Sequence, residues 1–214
     1  MTKVTLIMAA GLALTGVTGT GFTAAPAAAV SADDQLTKVK AWAEGTLAPF
    51  MQGNKVLLEE VTAANKERES WAAYSEDYKK WTPEDAEKNK ASYTYCEYLW
   101  SVKKDKEFRA KHMSTPAAKA MKEFQSGSGE VVSECFVTDA KGGNVVQSQA
   151  TSDWFQGDEA KFTDCAGKGV IAYGKPTRDE TTGVTGVHVS VPLFDANKKV
   201  SGVAIVLVTI EKVK

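Results

Sequence analysis

The residues most able to do chemistry fall in the stretch TSDWFQGDEAKF, Thr151 to Phe162, and in two segments downstream of it. Trp154 offers an apolar wall and one N–H donor, and Phe155 a second wall. Gln156 can donate and accept, and Asp158 adds a carboxylate. Arg178 presents a planar fork that matches a carboxylate. His188 and Ser190 alternate with valines in GVTGVHVSVPLFD, so they share one face of a strand. This is the chemistry of holding a small polar molecule. Each residue also has a plain structural use. Trp154 and Phe155 can roof a core, Gln156 can tie down its own loop, and Arg178 can form a surface ion pair. His188 can face solvent. Asp158 and Glu159 can cap a short helix over GDEAKFTDCA, where carboxylates meet free N–H groups.

Nothing comparable points to catalysis. His112 and His188 are the two histidines, far apart in sequence, with no HExxH and no Cys/His cluster. There is no GxSxG and no phosphate loop. Asp153, Asp158 and Glu159 lack the spacing of a calcium loop. No metal and no cofactor are expected.

The N-terminus reads as a leader. Lys3 supplies a positive charge, and an apolar run from Val4 to Leu14 follows, diluted by Thr and Gly up to Phe22. Small residues at Val30-Ser31-Ala32 precede Asp33, which places signal-peptidase cleavage after Ala32. The strongly apolar part is shorter than the ~20 residues of a spanning helix. Residues 1–32 are therefore expected to be a signal peptide and 33–214 a single domain, periplasmic or secreted. In an oxidising compartment Cys96, Cys135 and Cys165 are an odd set, so at most one pair forms. Cys135 and Cys165 flank the TSDWFQGDEAKF stretch and are the favoured disulfide; a pair involving Cys96, or no pair, is the alternative. A formal charge of −1, without a basic cluster, argues against nucleic acid as a partner.

The first half, 33–126, reads as helical. Leu36, Val39, Lys40 and Ala43 have helical spacing, interrupted by Gly45 and Pro49. Leu57, Val61, Ala64, Arg68, Trp71, Tyr74, Tyr78 and Trp81 follow as one face of a long helix, packing on a sheet or in a dimer seam. Thr82-Pro83-Glu84-Asp85 caps a third helix running to Trp100, and Thr115-Pro116 opens a short fourth through Phe124. The second half, 127–214, changes period. EVVSECFVTDA and VVQSQ flank the turn KGGN as a hairpin, and GVIAYGK and GVTGVHVSVPLFD read as strands. VSGVAIVLVTI is apolar on both faces and must lie mid-sheet, covered on each side. The helices can cover one side; the excursion containing TSDWFQGDEAKF is left for the other.

The run CFVTDAKGGNVVQSQATSDWFQGDEAKF, then RDETTG, then VHVSVPLFDANKKVSGVAIVLVTI, resembles the single-Cache (PDC-type, PAS-like) extracytoplasmic sensor domains of bacteria. The likeness covers about residues 130–210: a V-x-D-x-x-G turn, a strand ending in Ser, the aromatic Q-G-D-E loop, a D-E-S/T segment and a V-S-x-P strand. VTAANKERESWAAYSEDYKKW is similar to the family's long N-terminal helix. Residues 84–111 have no counterpart, and Arg178 stands where an apolar residue is usual. The resemblance implies an α+β fold, with long N-terminal helices packed on a five-stranded antiparallel PAS-like sheet and a small-molecule pocket under the loop. It also implies a small carboxylate or similar metabolite as ligand.

Two readings follow. In the first, the chain is a non-catalytic sensing module that binds a small molecule and signals through a separate membrane receptor or kinase. In the second, it is a structural or interaction protein with a PAS-like fold and no metabolite, forming a homodimer through the long helix. A third reading, an enzyme, has no residue constellation to carry it.

Overall fold

The structure, a computed structural model, describes residues 32–178 and 184–214. The expected leader before Ala32 and the D-E-T segment at 179–183 lie outside the described residues. The fold is α+β, with helices packed against an antiparallel sheet.

The sheet follows from its last strand. β1 (Val132–Asp139), β2 (Asn144–Gln147), β3 (Ala172–Tyr173), β4 (Thr177–Arg178), β5 (Thr185–Phe194) and β6 (Val200–Thr209) form one sheet, ordered β2-β1-β6-β5-β3 with β4 also paired to β5. The five strands read from the sequence are present, and the two-residue β4 is the addition. β6 is central, paired to β1 on one side and β5 on the other. Its alternate residues enter different cores: Ala204, Val206 and Val208 face the helices, whereas Val203 and Ile205 face away. Both sets are buried, as a strand without a polar face requires.

The helix-side core collects Val39, Ala43, Leu47 and Met51 from the N-terminal helices. These run as α1 (Ala32–Trp42), a wider turn (Ala43–Leu47) and α2 (Ala48–Gly53). The expected interruption at Gly45 and Pro49 does not occur. Between them the ladder widens to an i→i+5 bond, from the Ala48 N–H to the Ala43 carbonyl, and Pro49 falls in the first turn of α2, where its N–H is not needed.

α3 (Lys55–Glu67) lays Leu57, Val61 and Ala64 on the sheet. It ends at Arg68 instead of running on to Trp81. Arg68 leaves helical geometry at φ −97° and ψ 9° as its guanidinium reaches Asp139 on β1. Trp71 and Tyr74 therefore join a separate aromatic cluster, with Tyr78 against Tyr74. Of the two packings expected for the helix face, on a sheet or in a dimer seam, Leu57, Val61 and Ala64 make the one on the sheet. The expected third helix is also two. Thr82 and Asp85 form the capping box of α4 (Pro83–Lys88), and Ser92 caps a new start at α5 (Tyr93–Glu97). α6 (Lys106–Met113) and α7 (Pro116–Gly127) follow, with Thr115 capping α7 as read.

The opposite sheet face is covered by α8 (Ala160–Ala166), whose Phe162 and Cys165 pack on Phe136, Val203 and Ile205. Glu159 stands at its N-cap without a side-chain capping bond, pairing instead with Lys161 at 3.0 Å. Asp158 is exposed.

The expected Cys135–Cys165 bridge is corrected: all three cysteines are free and buried. Cys135 points into the helix-side core, while Cys165 on α8 packs against Phe136, the neighbouring residue on β1, which points the other way. The sheet lies between the two sulfurs, and no rotamer bridges it. Burial pushes the Cys96 and Cys165 thiols up to about 12, so neither is a thiolate at neutral pH. Protein denatured without reductant should titrate three thiols per chain, and native protein almost none. A count of one on denaturation would restore the bridge.

Candidate functional site

The chain leaves β2 and doubles back along its outer edge. The Asn144 N–H donates to the Trp154 carbonyl at 3.1 Å, and the Gln156 N–H to the Gly142 carbonyl at 2.8 Å. This close pass needs glycines. Gly142 has φ +95°, and a Cβ there would sit 2.2 Å from Gly157.

Helices from 92–113 clamp the doubled-back segment. Glu97, 1% exposed, accepts the backbone N–H groups of Trp154 and Phe155 through Oε2 at 2.8 and 2.7 Å. Burial raises the Glu97 carboxyl above the usual range, against these hydrogen bonds and one from Ser101. The Trp154 indole N–H donates to His112 Nε2 at 2.9 Å, and the His112 Nδ1–H donates to the Phe108 carbonyl at 2.8 Å. That pair of bonds fixes the neutral tautomer, and burial pulls His112 down to about 4.

Arg68 anchors the same cluster from below. Its Nη1 donates to Asp139 Oδ2 at 2.7 Å, and its guanidinium lies 5.5 Å from the Trp71 ring and 5.0 Å from the Trp154 ring. Asp139 also accepts from the Tyr93 hydroxyl at 2.9 Å and from the Lys141 and Gly143 backbone.

The structure thus divides the residues singled out from the sequence. Trp154 is fully buried and Gln156 nearly so, its Nε2 donating to the Asp153 carbonyl at 2.9 Å. Phe155 stacks on Tyr74 with ring centroids 4.2 Å apart. These three hold the loop together beyond the β2 edge. Arg178, His188 and Ser190 belong to the β4–β5 side, and β2 and β5 are three strand spacings apart, about 14 Å. Residues 151–157 do not roof the strands that hold His188 and Ser190. The later part of the same excursion does cover that face, with Phe162 of α8 on Val203 and Ile205 and with Glu159, Ala160 and Lys161 beside His188. Ser190 is 1% exposed, paired across to Ile205 and Ala172.

Arg178 and His188 do come together. α8 covers Val203 and Ile205 but stops short of Leu207. Beyond it the sheet face opens into a cleft of about 510 Å³ lined by Ser133, Thr177, Arg178, Gly186, His188, Leu207 and Thr209. His188 lies directly across from Leu207, and Gly186 across from Thr209. Leu207 leans over Gly186, where a Cβ would meet its Cδ1 at 2.9 Å. Burial, then nearby Lys161, lowers His188 below the usual histidine range, so it is neutral at pH 7. The floor is apolar with hydroxyl groups at its edges, and Arg178 stands on the wall. Such a cleft can take the apolar body of a small molecule and pair its anionic end. Leu207, Thr209 and Ser133 were missed from the sequence. The only signal for them was the fading of cover toward the end of the β6 run.

No protein-family model matches the chain, and no curated protein matches it. Among solved structures it is similar to the sensor domain of the V. cholerae histidine kinase DctB, at 9% identity and a TM-score of 0.42, covering 85% of this chain and 54% of that one. It is also similar to the ligand-binding domain of the Pseudomonas aeruginosa PAO1 amino acid chemoreceptor PctC in complex with GABA, at 13% identity and a TM-score of 0.35, covering 86% and 64%. The ligand-binding domain of the Campylobacter jejuni chemoreceptor Tlp3 in complex with L-valine gives 10% identity and a TM-score of 0.35, covering 86% and 66%. The chain therefore spans between 54% and 66% of these three domains. One is the sensor domain of a kinase and two are ligand-binding domains of chemoreceptors. TM-scores this low bear on neither ligand nor partner. Among the described residues no helix is long and apolar enough to cross a membrane, and no group of His, Cys, Asp and Glu could hold a metal ion.

The buried His112 makes the loop side sensitive to acid. Its folded value, about 4, lies below the ordinary 6.5. The unfolded chain thus binds the extra proton first, and stability is full above about pH 6.5 and lost as pH falls toward 4, by on the order of 3 kcal/mol. Glu97 and Glu134, both raised by burial, act with the opposite sign. The difference between wild type and His112→Gln cancels them. Urea unfolding from pH 7 to 4.5 should show the wild type losing stability relative to the variant; parallel curves would contradict the assignment.

Proposed function

We propose that the chain is a non-catalytic, extracytoplasmic sensing module that binds a small carboxylate in the cleft between β4 and the open face of β5 and β6. The observation that carries this reading is the meeting of Arg178 and His188 in one apolar cleft of about 510 Å³. None of the lining residues named above is acidic; Glu211, which accepts the Thr185 N–H, acts on Arg178 from outside the lining. The guanidinium offers two parallel N–H groups to a carboxylate. His188, neutral in the free protein, gains a reason to protonate when an anion arrives. The size suits a metabolite of a few carbons to a small ring.

The resemblance in the sequence supports the same class of function, with the ligand held by Arg178 and His188 instead of Trp154 and Gln156. Phe155 and Asp158 stay with the loop. Ser190 supports the floor beneath α8. The signal passes to a separate membrane receptor or kinase, and the leader read at 1–32 delivers the protein to the periplasm or beyond it. One observation favours the second reading, a structural protein: the loop side is solidly packed, with Trp154 at 0% exposure. That packing removes the loop as a ligand roof but leaves the cleft open.

A thermal-shift panel of small carboxylates on refolded, ligand-stripped protein decides between them. A ligand at about a hundred times its dissociation constant adds about 2.7 kcal/mol, a rise of roughly 5–10 °C for a domain of this size. The rise should vanish in Arg178→Ala and persist in Phe155→Leu. No rise with any carboxylate, or a rise that ignores Arg178, favours the structural protein.

A further inference from the structure

Residues 84–111 have no counterpart in the sequence resemblance, yet Cys96, Phe108 and Lys111 from that segment help to wall a second cavity. It lies on the helix side, beyond the β2 edge, between α3 and the helices α6 and α7, and measures about 380 Å³. Its walls are mainly apolar: Trp71, Phe108 and Val145, with the Cys96 thiol. Three features give it a chemical preference. First, Arg68 is among its lining residues, and the buried Arg68 Nε–H has no hydrogen-bond partner among the described residues. The other guanidinium nitrogens are engaged by Asp139 and by the Gly143 and Asn144 carbonyls. A buried donor left unmatched is costly, so an oxygen acceptor at that point is favoured. Second, the Arg68 charge is already balanced by Asp139 at 2.7 Å. Third, Glu60 and Glu67 outnumber Lys111 around the cavity, so an anion is repelled. His112 also lines it but is neutral, its Nε2 occupied by Trp154.

We propose that this cavity is a second small-molecule site, separate from the β4–β5 cleft, and that it takes an uncharged molecule with an apolar body and one carbonyl or hydroxyl oxygen directed at Arg68 Nε. The apolar body lies against Trp71, Phe108 and Val145. The chain then has two sites of different chemistry: one on the open sheet face for an anion, and one on the helix side for a neutral ligand.

Three probes of equal girth test the chemistry: acetophenone carries the acceptor, toluene lacks it, and benzoate carries a charge. Binding is followed by quenching of tryptophan fluorescence, since Trp71 walls the cavity, and by melting temperature. Acetophenone should bind saturably, with toluene and benzoate each at least tenfold weaker. Ala63→Trp, at an exposed lining position, should fill the mouth from the solvent side and weaken acetophenone at least tenfold without disturbing the core. Arg68→Lys keeps a charge for Asp139 but removes the Nε–H, and should erase the preference for acetophenone over toluene. Arg178→Ala should leave acetophenone binding unchanged, which separates this site from the sheet-face cleft. The proposal is overturned if no probe saturates, if toluene or benzoate matches acetophenone, if Ala63→Trp has no effect, or if Arg178→Ala abolishes binding.

Discussion

The molecule is organised by a strand with no polar face. β6 buries Val203 and Ile205 on one side and Ala204, Val206 and Val208 on the other, so the sheet cannot face water on either side along that stretch. Each such side chain contributes about 1.5–3 kcal/mol when fully buried. The helices satisfy one face with the stripe from Val39 to Met51 and the short face of α3. On the other face, α8 spans only seven residues. It covers Val203 and Ile205 and leaves Leu207 only partly buried. The cleft holding Arg178 and His188 is what remains of the second face once α8 ends. Its position is thus a consequence of how far the cover reaches.

A second constraint sets the loop side. Asp139 closes the β1–β2 turn through its own Oδ1 and receives Arg68 and Tyr93 on Oδ2. A buried carboxylate and guanidinium are tolerable only while paired; losing one partner costs about 3–5 kcal/mol. Holding that pair ends α3, turns the chain into the aromatic cluster, and places Trp154 over the guanidinium. Glu97 and His112 then fasten the loop from the helices that follow. Part of the polar groups in TSDWFQGDEAKF is spent on internal bonding, as the Thr151 hydroxyl and the Gln156 Nε2 illustrate, while the buried Gln156 Oε1 has no partner among the described residues.

Much of the fold was legible in the sequence because it rests on period and caps. The doubly apolar run gave a central strand, KGGN gave the hairpin, and Thr82-Pro83 and Thr115-Pro116 marked helix starts. What escaped depends on long-range contact. The spacing from Leu57 to Trp81 is helical throughout, yet Arg68 leaves the helix to meet a carboxylate seventy-one residues away in the chain. Ser92 is an ordinary cap signal hidden among tyrosines that continue a helical spacing. The cysteines flank one loop in sequence but occupy opposite faces, which only the pleat of β1 and the placement of α8 reveal. The candidate site divides for the same reason. The strand pattern put His188 and Ser190 on one face correctly, but nothing local says that the loop turns outward past β2 while α8 turns inward. Arg178 joins His188 through the short β4, whose two residues carry no recognisable strand pattern.

The chain holds two histidines, and they report on the two sides separately: His188 lines the sheet-face cleft, and His112 is locked beneath Trp154. The most direct test of carboxylate binding in the cleft is therefore an NMR titration of both imidazoles, with and without a carboxylate that raises the melting temperature. A carboxylate between Arg178 and His188 should shift the His188 ring signals and move its pKa upward, while His112 stays neutral and unmoved. A stabilising carboxylate that leaves His188 unchanged, or that moves His112 instead, would contradict the account.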